Sequence, residues 1–282
     1  MRPLLQMRLR RSRRATRTSL NDRMNAAREK DTMKKPNLYR VIGTLSAVLI
    51  LAFVVTKSQR SVRAAPPPEG GIAGTVKLEG TAPHQRPIDM SKEPACAAVH
   101  KANPVTTENV VAGADGGLKN VVVYISEGWS GSPEAATSTP TWDQKGCQYI
   151  PHVMGLDVNQ HFKVTNSDPT SHNIHPMPKP GGPNHEWNKS QPSGAPPIDA
   201  VWGSEEVAIH VKCNIHPWMS GYMVVVKGPY GVSDDSGSFK IENVPPGNYT
   251  LTAWQETLGT QTQKITLAAG KPSTASFTFK AK

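Results

Sequence analysis

The sequence predicts an all-β fold behind one N-terminal hydrophobic helix, and three observations carry that prediction. Beyond Thr56 no stretch shows a sustained helical period. In its place come short runs of alternating or β-branched residues, divided by turns rich in Gly, Pro and Asn. The one long uncharged apolar run, VIGTLSAVLILAFVV (Val41–Val55), stands near the N-terminus.

The first element is a basic tail, residues 1–37. The first 40 residues hold 13 Lys/Arg against three Asp/Glu, so the net charge of +10 belongs to this end and the remainder is neutral. A nucleic-acid reading of the folded part therefore loses its main support; for residues 1–30 a basic arm is the weaker alternative. With Leu38, Tyr39 and Thr56 counted in, the apolar run is long enough to cross a bilayer, giving a segment at 38–57. Its basic flank keeps the tail cytoplasmic and sends the rest outward. Val62–Ala65 (VRAA) resembles a signal-peptidase site, but the long basic TKSQRSVR before it favours an uncleaved anchor. Met24 and Met33 are alternative starts, since MKKPNLYR is already a sufficient basic leader. The expectation is an inner-membrane anchor with its folded part in the periplasm or outside the cell. Export permits a disulfide. If Cys213 has a task of its own, Cys96 and Cys147 remain as a candidate pair, the alternative being two unrelated buried thiols.

Residues 58–69 form a linker that runs into APPPEGG (Ala65–Gly71). GIAGTVKL (Gly71–Leu78) and LKNVVVYI (Leu118–Ile125) read as alternating strands, with a loop-rich stretch holding Cys96 between them. Glu127–Trp142 reads as a long loop, and QHFKVTNSD (Gln160–Asp168) as a strand ending in turn residues. Pro176–Pro197 is too rich in Pro and Gly to be regular. EVAIHVKC (Glu206–Cys213) alternates strictly, and GYMVVVKG (Gly221–Gly228) follows at once. FKIENV, a turn at Pro245–Gly247, NYTLTAW, QKITL and ASFTF complete the β pattern of a sandwich or barrel.

CNIHPWM (Cys213–Met219) carries the chemistry. Side chains in a strand alternate faces, so the pattern Val207, Ile209, Val211 sends the Cys213 sulfur toward the same core. His216 and Met219 follow in the loop before the next strand. A thiolate, an imidazole and a weak thioether on one loop make most of a blue-copper ligand set. A second histidine is needed, and NSDPTSHNIHP (Asn166–Pro176) offers His172 and His175. His152, His161, His185 and His210 read as surface or sandwich residues, with His210 on the strand face opposite Cys213.

These two motifs together resemble a cupredoxin, with loop spacing similar to amicyanin, over roughly Asn103–Gly228. The resemblance implies a Greek-key β-sandwich at 103–228 and one type 1 copper ion. It implies His172, Cys213 and His216 as equatorial ligands, favouring His172 over His175, and Met219 as the axial ligand. It also implies Asn173 as the residue tying the two loops and His216 as an exposed electron port. Trp218 is expected to pack beside the site and shield it.

GVSDDSGSFKIENVPPGNYTLTAWQETLG (Gly231–Gly259) resembles a carboxypeptidase-regulatory-like domain, a second and smaller sandwich assigned to 229–282. Fifty residues are few for an independent sandwich. GGIAGTVKLEG (Gly70–Gly80) resembles that family's first strand, so residues 70–102 are expected to return to the C-terminal segment, with the copper module inserted between. Functionally, the resemblance implies an electron carrier rather than an enzyme, working with a redox protein of the cell envelope. The alternative is an envelope module that binds carbohydrate or protein, with structural or carried copper; it predicts an exposed aromatic platform, for which Trp254 is the candidate. A multicopper oxidase or nitrite reductase needs further ligand sets, and clustered H-x-H pairs are absent.

Overall fold

The computed structural model describes residues 70–113, 115–131 and 138–281. The expected tail, hydrophobic segment and linker, together with the signal-peptidase site, lie outside the described residues. Among the described residues no helix is long and apolar enough to cross a membrane. The elements are, in chain order, β1 (Gly70–Glu79), α1 (Pro94–His100), β2 (Val122–Glu127), β3 (Thr141–Lys145), β4 (Gln148–Ile150), β5 (Val153–Asp157), β6 (His161–Asn166), β7 (His172–Met177), β8 (Lys189–Gln191), β9 (Ile198–Val201), β10 (Glu206–Lys212), β11 (Ser220–Val226), β12 (Tyr230–Val232), β13 (Ser238–Val244), β14 (Gly247–Gln255), β15 (Gly259–Leu267) and β16 (Ser273–Lys280). The fold is all-β. Helix α1 and strand β8 lie in stretches that the sequence leaves as loops; each is too short to carry a full period.

The strands form four sheets, ordered β13-β1-β16, β12-β2-β14-β15, β5-β11-β10-β7-β8 and β4-β3-β6-β9. One core, with Ile72, Val76, Val123, Leu251, Phe239 and Phe277, lies between the first two sheets. Another, with Trp142, Phe162, Ile209, Val211, Cys213 and Met223, lies between the last two. A third cluster, with Val122, Tyr124, Val224, Val226 and Trp254, joins the inner sheets back to back. The sheets therefore stack as four layers.

This stacking corrects the reading of β2. Val121, Val123 and Ile125 enter one core while Val122 and Tyr124 enter the joining cluster. The run is buried on both faces, which gives continuous apolar sequence instead of a wet/dry alternation. β2 lies inside the 103–228 segment yet pairs with β14 and β12 of the C-terminal part. β10 needs a second correction. Ala208 has φ +68° and the register with β11 shifts between Glu206 and Ile209. This bulge changes the facing of the strand, so Val207 packs in the joining cluster while Ile209, Val211 and Cys213 share the other core.

β1 runs antiparallel to β13 and parallel to β16, so the start of the folded chain closes the C-terminal sheet. Val76 and Tyr249 belong to the same core. Gly74 is required there: a Cβ at this position would lie 1.9 Å from the Ala275 carbonyl oxygen and 2.7 Å from the Phe239 ring. Gly74→Ala is expected to destabilise the chain by about 1–3 kcal/mol through overpacking, read from urea unfolding; an unchanged midpoint contradicts the close packing of β1.

His152, just before β5, bridges to the other sandwich. Its Nε2 lies 2.8 Å from Glu256 Oε1 and its Nδ1 3.9 Å from Glu108 Oε2. Burial pushes its pKa down, but the hydrogen bond and charge of Glu256, with Glu108, outweigh burial and raise it. A raised histidine stabilises the fold fully below its unfolded value of about 6.5 and loses that contribution as pH rises through the folded value. His152→Gln is therefore expected to lower the melting temperature more at pH 6 than at pH 9; equal losses at both pH values refute the ion pair.

Candidate metal centre

His172 opens β7, and Cys213 follows the last residue of β10. The two strands pair antiparallel, with Lys212 opposite His175, and this sets the two segments side by side. Asn173 fixes the junction. Its Oδ1 accepts the Asn214 N–H at 2.7 Å and the Cys213 thiol at 3.3 Å, and its Nδ2 donates to Asn188 at 2.8 Å. The loop from Cys213 to Met219 is closed by its own backbone. Cys213 N–H donates to the Met219 carbonyl and Met219 N–H to the His216 carbonyl.

His172, Cys213 and His216 converge. Their donor atoms all lie within 4.8 Å of one another, and all three side chains are buried. The two Nδ1 atoms are 2.9 Å apart, and the Cys213 sulfur is 3.8 Å from His216 Nδ1. Ligands held at about 2.0–2.3 Å from one ion lie within roughly 4.6 Å of each other, and the His172–His216 and Cys213–His216 separations fall inside that limit. Met219 is buried in the same core. Two imidazoles and a thiolate are donors that suit copper. Met219 and Trp218 stay within this loop, and the Trp218 ring lies 5.2 Å from that of His216.

His175 stays outside. Its Nδ1 meets Asn214 Oδ1 at 3.0 Å and its Nε2 meets Glu186. His210 bonds to Ser220 and packs on Tyr222, away from the cysteine. His161 pairs with Asp199 at the surface, and His185 is exposed.

Burial raises the Cys213 pKa, but hydrogen bonds from His172 and from the backbone N–H groups of Asn173, His216 and Ile215 outweigh it and the thiol is lowered. Burial also depresses both imidazoles. At His172 the hydrogen bond to Asp168 reverses this and raises the group, whereas at His216 the neighbouring His172 adds to the depression. Sequence reasoning passed over Asp168. Its carboxylate is buried against His172 Nε2, and its position four residues before that histidine was its one signal.

The expected electron port is corrected. His216 is fully buried, because α1 covers it. Cys96, on α1, is bonded to Cys147 with Cα atoms 5.7 Å apart, and its sulfur lies 3.9 Å from His216 Nε2. Glu93, preceding the helix, places Oε2 3.9 Å from the same nitrogen. Trp218 Nε1 donates to the Cys147 carbonyl at 3.1 Å. A second donor group, Cys147, Asp168 and His172, is no second metal site, since the Cys147 sulfur is already bridged.

The C-terminal part is decided by its own sequence. Residues 219–280 match the family model of the carboxypeptidase regulatory-like domain. No curated protein is significantly similar to the chain. Similar solved structures include a copper-containing nitrite reductase from Thermus scotoductus SA-01, at 16% identity over 33% of this chain and TM-score 0.28. The match spans only 25% of that reductase. An amicyanin variant in its reduced state shares 17% identity over 36% of this chain and 97% of its own, with TM-score 0.28. A purple cupredoxin from Nitrosopumilus maritimus shares 20% over 30% of this chain and 98% of its own, with TM-score 0.26. Each of these matches covers about a third of this chain.

Replacing Cys96 and Cys147 together by serine is expected to cost about 2–5 kcal/mol of stability. With α1 untethered, Cys213 should also react faster with a thiol reagent. An unchanged labelling rate contradicts the cover over the centre.

Proposed function

We propose that this chain is an exported, membrane-anchored copper protein that passes single electrons through one mononuclear type 1 site. The observation that carries the proposal is the convergence of three buried donors, His172, Cys213 and His216, from two separate segments. Met219 is assigned as the weak axial donor. When bound, copper supplies a one-electron couple between its cuprous and cupric states. The chain holds the donors in one arrangement for both states. Asn173 and the backbone bonds of the Cys213–Met219 loop fix them, and the surrounding core excludes water. The membrane anchor and export are proposed from residues 38–57 and the basic flank before them. The partner is a redox protein of the cell envelope.

The regulatory-like sandwich could serve as a binding module for carbohydrate or protein, with copper structural or carried. Trp254, the candidate platform, is buried and packs edge-on to Tyr222 at 5.5 Å. It offers no exposed aromatic surface, so electron transfer is the reading preferred.

The test is the full chain loaded with Cu(II). An intense visible thiolate-to-copper band is expected, abolished in Cys213→Ser, with a reversible one-electron wave. A colourless loaded protein overturns the type 1 assignment; a blue protein that releases its metal on reduction is a carrier of copper instead.

A further inference from the structure

Asp168 stands directly behind one of the proposed ligands. Its side chain is only 5% exposed, and Oδ2 lies 2.8 Å from His172 Nε2. The Cys147 N–H donates to the same oxygen at 2.7 Å, and the Gly146 N–H donates to Oδ1 at 2.7 Å. The backbone is held too. Asp168 N–H donates to Asn166 Oδ1, while Asn166 Nδ2 donates to the carbonyls of Thr170 and Gln191. The carboxylate is thus gripped at both oxygens by the turn that carries the disulfide. Among the described ion pairs, its partner is His172.

We propose that Asp168 is a positioning residue that presents His172 Nδ1 to copper and lowers the reduction potential of the centre. This rests on the copper reading above. An ionised carboxylate can only accept hydrogen bonds. With a metal on Nδ1, the His172 proton sits on Nε2 and points at Oδ2. The ring is then fixed in rotation and tautomer, as outer carboxylates fix metal-bound histidines generally. The second effect is charge. A cuprous centre carries one positive charge fewer than a cupric one. A buried negative charge one imidazole away therefore favours the cupric form, with little solvent between to screen it.

The decisive experiment compares Asp168→Asn with the unaltered full chain, both loaded with copper. Asparagine keeps the shape and removes the charge. Cu(II) binding is expected to weaken about 10- to 100-fold, with Cu(I) binding changed less. Each tenfold change in that ratio corresponds to a rise of about 59 mV in the one-electron potential. The visible band should persist, and Asp168→Glu should return the potential toward that of the unaltered chain. A potential unchanged or lowered in Asp168→Asn overturns the inference. If the unaltered chain itself takes up copper without a thiolate band, the copper reading has failed instead. Should Asp168→Asn not fold, nitrogen NMR of the unaltered Cu(I) protein decides. A proton on His172 Nε2, with the metal on Nδ1, supports the inference, and the opposite tautomer overturns it.

Discussion

The centre exists only if two segments forty residues apart meet, and the antiparallel pairing of β7 with β10 makes them meet. The pairing sets His175 opposite Lys212, so Asn173 and Asn214 fall within hydrogen-bond reach. One side-chain oxygen then serves both the backbone of the cysteine loop and the thiol. A buried polar atom with its partners in place stabilises one arrangement and penalises others. The donors consequently hold their mutual positions.

Around this junction the enclosure is covalent as well as packed. The disulfide fixes α1 against the turn between β3 and β4, and α1 covers His216. The same turn supplies the two N–H groups that hold Asp168, which in turn holds His172. Both histidines are thus supported from outside through one hairpin. A covering layer, not an exposed imidazole edge, therefore lies over His216.

The four-layer stack ties the candidate centre to the regulatory-like part. β11 leaves the Cys213–Met219 loop directly and is buried on both faces, with Met223 and Val225 in the core that holds Cys213 and Val224 and Val226 toward β2 and β14. Loss of either sandwich would expose one face of this strand to water. The two sandwiches thus share a continuous apolar interior.

Much of this was legible in the residues. CNIHPWM offered Cys213, His216 and Met219, and SHNIH offered His172 and His175, because a ligand loop is local in sequence and its residue chemistry is specific; the cupredoxin resemblance favoured His172, which the fold sets beside Cys213 and His216. The strands, the closure of β1 onto the C-terminal segment and the candidate cysteine pair were also readable, from alternation, turns and the similarity of Gly70–Gly80 to a first strand. Three features were decided elsewhere. The bulge at Ala208 inverted the facing of Val207, since a left-handed residue leaves no trace in a hydrophobic pattern. The double burial of β2 and Trp254 depended on which sheet lay behind them. The burial of His216 and the grip of Asp168 depended on α1 and a distant hairpin, brought to the site by a bond 51 residues long in sequence. Sequence fixes which donors a loop can offer; only the packed chain decides what stands behind and above them, because those neighbours come from other strands.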